Sequence, residues 1–158
     1  MLNFDVILAI VAIIIAIVVM AQATMTVTTS WSIIEDGEGT GQGASTSTAV
    51  TGNDILSTNC AVPVNTLNAE FDVYIDCSTL KGLVITSNVD VTIYTNAAGT
   101  GSPDDTLTIK ANIPFTWVFG SGITRPIDGA TNIIDSIFIS NPHLTVPAVV
   151  KIRGVQTV

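Results

Sequence analysis

Phe71-Asp72-Val73-Tyr74-Ile75-Asp76 places an apolar residue at every second position, with two acids among the residues between. Successive side chains of a strand point to opposite faces, so this run puts Phe71, Val73 and Ile75 on one side of a sheet. Val89, Val91 and Ile93 repeat the pattern against Asp90, Thr92 and Tyr94. Further strand signals cover Thr24 to Ile34, Leu83 to Thr86, Thr106 to Lys110, Pro114 to Phe119, Ile133 to Ser140 and Thr145 to Ile152. Asn96 to Pro103 and Gly120-Ser121-Gly122 break the chain between them. Seven or eight short strands with no second helical pattern predict an antiparallel β-sandwich, Ig-like or jelly-roll.

Ahead of these strands, Val6 to Met20 is an unbroken run of fifteen apolar residues. With Leu2, Phe4, Ala21 and Ala23 it predicts a hydrophobic α-helix over 1–23, about 34 Å long. That is enough to cross a hydrocarbon core of about 30 Å. A helix apolar all round must be buried in lipid or against other helices. The expected organisation is therefore mainly β: residues 1–23 as an assembly or membrane helix, then a sandwich over 24–158 carrying a Gly/Ser/Thr-rich loop at 36–52.

Three readings fit the leading segment. Ala21-Gln22-Ala23 supplies a signal-peptidase-like site, but the residues before the apolar run hold Asp5 and no Lys or Arg. A plain membrane anchor gains no orientation from flanking charge, because the first base in the chain is Lys81. The third reading is self-packing. Ala9, Ala16 and Ala23 recur every seven residues and Ala12 follows Ala9 by three, a small-residue stripe that lets helix backbones approach. Asp5 falls on the same face, where it needs either a cationic partner or only the favourable end of the helix dipole.

Met1-Leu2-Asn3-Phe4-Asp5-Val6-Ile7-Leu8-Ala9-Ile10 resembles the mature N-terminus of a type IV pilin. The resemblance implies that Asp5 neutralises the amine of Met1 on an adjacent subunit, and that Val6 to Met20 bundles into a filament core. Asp stands where that family has Glu, and the apolar run stops near Thr24. In the C-terminal half, Pro103 to Lys110, Pro114-Phe115-Thr116-Trp117 and Val150-Lys151-Ile152-Arg153 resemble small β-sandwich proteins of phage particles. That likeness implies a capsid, decoration or tail component.

Charge is sparse, at 11% of residues, and uneven. Through Leu80 there are eight acids and no base, whereas five acids and five bases follow, so the net charge of −8 resides in the first half. No basic cluster suits nucleic acid or anionic lipid. A surface of Thr, Ser and Asn suits subunits that pack side by side.

Cys60 and Cys77 are the only cysteines. A disulfide between them would contribute about 3 kcal/mol in an oxidising compartment; two buried thiols are the alternative. With His143 as the single histidine, no zinc site is expected. Glu35, Asp36 and Glu38, like Asp104-Asp105, read as solvated loop acids outside any EF-hand pattern. His143 has no nucleophile elbow to serve, and Trp31 and Trp117 read as core or interface residues. Gly37, Gly39, Gly41 and Gly43 mark a surface loop or an extended arm lying on a neighbour.

The sequence thus leads to a non-enzymatic structural subunit that self-assembles through Asp5, Ala9, Ala12, Ala16 and Ala23. An extracellular pilus-like filament subunit is the first expectation. A phage virion protein, capsid-associated or membrane-anchored, is the alternative, and a tethered monomeric binding module the third. Identical copies are the expected partners, a membrane a further one. No catalytic residue, metal or cofactor is expected.

Overall fold

The alternation over 71–76 is a strand in the structure, a computed structural model that describes residues 23–33 and 42–157. Ile75 is buried and Phe71 and Val73 pack against the core, while Asp72 and Tyr74 face outward. Ten strands are described: β1 (Ala23–Ile33), β2 (Gln42–Gly52), β3 (Asp54–Val62), β4 (Thr66–Asp76), β5 (Leu80–Ser87), β6 (Val91–Thr95), β7 (Thr106–Ile109), β8 (Phe115–Val118), β9 (Ile133–Asn141) and β10 (Ala148–Gln156).

Strands β3-β10-β5-β8 form one antiparallel sheet and β4-β9-β6-β7 another. Apolar side chains from both meet in a single core: Leu83, Ile85, Val150 and Ile152 from the first, Ile93, Ile109, Ile134, Ile137 and Ile139 from the second. Each buried Ile or Leu contributes roughly 1.5–3 kcal/mol through removal from water. Successive strands alternate between the two sheets except at the β6–β7 hairpin. This strand order is that of an eight-stranded jelly roll, which decides between the two topologies left open by the sequence.

Alternation sorts the connections to two ends. At one, the short loops 63–65, 88–90, 110–114 and 142–147 meet, tied by Asn65 N–H to the His143 carbonyl (2.9 Å) and Asn112 N–H to the Ser87 carbonyl (2.7 Å). At the other lie 77–79, 96–105 and 119–132, tied by Cys77 N–H to the Asn132 carbonyl (2.7 Å). Asn65, Asn96, Asn112 and Asn132 turn these corners with φ of 48°, 58°, 57° and 60°. Asparagine tolerates that left-handed region because its amide can bond locally.

The expected architecture needs correction. All described residues with regular structure are strand, in three antiparallel sheets, and no helix occurs among them. No helix of the described residues is long and apolar enough to cross a membrane. Of the anticipated helix over 1–23, residues 1–22, with Asp5, Ala9, Ala12 and Ala16, lie outside the described residues. Ala23, its last member, opens β1 and pairs with Gly52. Residues 24–158 are also not one sandwich, because β1 and β2 make a separate two-stranded sheet. The anticipated loop at 36–52 is strand from Gln42 onward; its Ser, Thr and Val favour a pleated surface even among glycines.

Candidate functional site

β1 and β2 pair in register over eleven residues, from Ala23 opposite Gly52 to Ile33 opposite Gln42. Neither strand contains a charged residue or a proline. The foot of this ribbon is seated on the sandwich. Met25 and Val50 cover Gly82 of β5, and Gly52 lies against Val155 and the Gln156 backbone of β10. The contact explains why Val155, on the outer side of its sheet, is 2% exposed. A cavity of about 190 Å³ opens beside it, lined by Thr24, Met25, Ile55, Leu56 and Arg153 among others.

Among the described residues the outer edges of β1 and β2 have no further strand partner. Natural edges of this length are usually blunted by lysine, proline or a bulge. A lone two-stranded ribbon is marginally stable in water. β4 shows the usual protection: it is an edge strand with Glu70, Asp72 and two register shifts.

The short-loop end of the jelly roll is apolar. Val64, Ile113, Leu144 and Val146 stand exposed on its loops, with Leu67 and Val149 at the adjoining strand ends. Buried Asn141 holds this end together: its amide donates to the Pro63 and Val146 carbonyls (2.9 and 3.1 Å), and its Oδ1 accepts from His143 N–H (3.0 Å). His143 Nδ1 accepts the backbone N–H groups of Thr145 and Val146 (3.3 and 3.1 Å). Its ring shapes the loop.

The long-loop end is locked by polar contacts, with Phe119 and Ile123 exposed on its third loop. Asp105 Oδ2 accepts the N–H groups of Asp128 and Gly129 at 3.0 Å each, and the Thr95 hydroxyl at 3.1 Å. Asp104 accepts the Asn96 amide at 2.7 Å. The Ala130 N–H and that amide hold the Asp104 carboxyl below the usual carboxylate range. Arg125 bonds Asp128 and the Cys77 carbonyl. Asp104 and Asp105 thus fasten loops. No group of three or more potential metal ligands occurs among the described residues.

Cys60 and Cys77 are both buried and unbonded. Cys60 lies near the β3–β4 turn and Cys77 past the far end of β4, whose eleven residues separate them by roughly 30 Å at about 3.3 Å per residue. A disulfide needs Cα atoms within about 7 Å, so the anticipated bridge is not formed. Burial pushes both thiols up to about 11. Trp117 is a core residue, donating Nε1–H to the Ile123 carbonyl at 3.1 Å. Trp31 lies in β1 opposite Ala44, and Glu35, Asp36 and Glu38 lie outside the described residues.

No family model, curated protein or solved structure matches the chain. The described geometry offers surfaces for contact, the ribbon edges and the apolar short-loop end. Sequence reasoning missed β2 and β3, although Leu56, Cys60 and Val62, set at even spacing against Ser57, Asn59 and Ala61, could have disclosed β3.

Proposed function

We propose that this chain is a non-enzymatic structural subunit of a virion-type particle, assembling with copies of itself. The observation that carries the reading is the uncharged β1–β2 ribbon, whose unblunted edges call for a further strand or surface. The jelly-roll order supports the particle class by analogy of fold, since double-sheet jelly rolls build viral capsid domains as well as lectins and cupins. An interior filled by Ile, Leu and Val favours the structural member of that group over one with a central ligand pocket. The pilus-like filament rests instead on residues 1–22, outside the described residues, and β1 already begins at Ala23.

Negative-stain microscopy and sedimentation of the full-length chain test the proposal. Regular shells or ordered sheets are the expected outcome. Fibres alone would favour the filament, and a monomer at every concentration would defeat both assembly readings.

A further inference from the structure

The charges that look split between halves of the sequence are split between sheets in the fold. Exposed Glu70 and Asp72 on β4 and Asp135 on β9 belong to the β4-β9-β6-β7 sheet, whose strands contain no Lys or Arg. Exposed Lys151 and half-buried Arg153 lie on β10 of the opposite sheet. The only acid in that sheet's strands is Asp54, which accepts the Gln156 amide at 2.7 Å. The ion pairs among the described residues, Lys110–Asp90 and Arg125–Asp128, involve none of these five charges. Each outer face also exposes apolar side chains, Tyr74 beside the acids and Ile55 and Val149 beside the bases.

One molecule therefore presents an acidic face and, on the opposite side of the slab, a basic face whose Gly82–Val155 corner is taken by the foot of the ribbon, with Lys151 exposed beyond it. We infer that the acidic outer face of one copy docks on the basic outer face of a second copy, setting Glu70, Asp72 and Asp135 against Lys151 and Arg153. The occupant follows from charge complementarity: the surface that neutralises either face, with apolar residues between the charges, is the other face of the same chain. Such a contact is heterologous, so it propagates into rings or open arrays and does not stop at a dimer. The four strands of either sheet together hold about 30 residues, which at about 3.3 Å rise and 4.8 Å spacing give roughly 450–500 Å² per partner, well under the about 800 Å² of a standard interface. A contact of that size is weak singly and effective when repeated.

The inference rests on the self-assembly reading above, and a charge-swap experiment separates the two. Glu70→Lys/Asp72→Lys makes both faces basic, and Lys151→Glu/Arg153→Glu makes both acidic. Each full-length variant alone is expected to associate about tenfold more weakly or worse by sedimentation, with an unchanged circular dichroism spectrum. An equimolar mixture should regain association, because each variant supplies the face the other lost. Rising salt should weaken the wild-type contact. Wild-type assembly that neither variant disturbs would overturn the face-to-face contact and leave self-assembly standing. So would variants that weaken association yet fail to rescue each other when mixed. A wild-type chain that never assembles would remove both.

Discussion

Gly52 sits so close to Gln156 that a Cβ placed on it would stand 2.3 Å from the Gln156 carbonyl oxygen and 2.4 Å from Val155 Cγ1. That gap lets β2 cross the end of β10 and joins ribbon to sandwich. Gly52→Ala should therefore destabilise the fold by about 1–3 kcal/mol, the usual cost of overpacking. Gly82→Ala is the comparison: its added methyl meets first the Met25 Cε, the free end of a flexible side chain. Val50 Cγ2, at 3.0 Å, must also give by a few tenths of an ångström, so the variant should lose stability, but less than Gly52→Ala. Urea unfolding of the two variants measures the difference, and equal losses would contradict the close approach.

Asn141 offers a second check, because its amide serves carbonyls from two loops and its oxygen a third backbone group. Asn141→Leu leaves the Pro63 and Val146 carbonyls without that donor in a closed space. A loss of about 1–3 kcal/mol is expected, with amide exchange at His143 accelerating first. Unaltered exchange there would show that the amide is dispensable.

The two thiols should be inert in the native protein. Thiolate is the reactive form, and burial raises both groups to about 11. Ellman's reagent at pH 8 should react slowly with the folded chain and rapidly with two equivalents after denaturation. Because the folded values lie above the unfolded ones, the associated stability is complete below about pH 9 and disappears as pH rises through about 11. An intact mass two daltons low under non-reducing conditions would instead reveal a Cys60–Cys77 bridge.

Acid should act in the opposite sense. The Ser78 hydroxyl holds Asp76, the Lys110 ammonium holds Asp90, and the Ala130 N–H holds Asp104, each below the ordinary carboxylate range. Their contribution is present above the unfolded aspartate value of about 3.9 and is lost as pH falls through the lower folded values. Urea midpoints measured from pH 6 down to pH 2 should hold steady and then fall. Asp104→Asn should flatten part of that fall; an unchanged profile would contradict its loop-fastening role.

Much of the sandwich was legible in the sequence, since alternation such as Phe71-Val73-Ile75 is a direct consequence of burying one face. Eight of the ten strands were placed from such signals or compact apolar runs, and β3 carried one that went unread. β2 escaped because Gly43, Ala44 and the Ser/Thr run Ser45 to Thr48 have the composition of a loop. They become strand through pairing with β1, a relation between distant residues. The helix over 1–23 was read from apolar length alone, and at Ala23 the Thr-rich run that follows prevails, carrying the residue into β1. The assembly surfaces were least visible. Lys151 and Asp72 are remote in sequence, and only the sheet order assigns them to opposite faces.

β10 lies between β3 and β5, and its Gln156 reaches Asp54 across a sequence separation of 102 residues. The first sheet therefore cannot close until its last-synthesised strand slides between two that precede it. Such long-range closure makes refolding slow, on a scale of milliseconds to seconds. While a nascent chain waits for residues 148–156, the flanks of β3 and β5 stand open, and a chaperone or sister molecule has its opportunity.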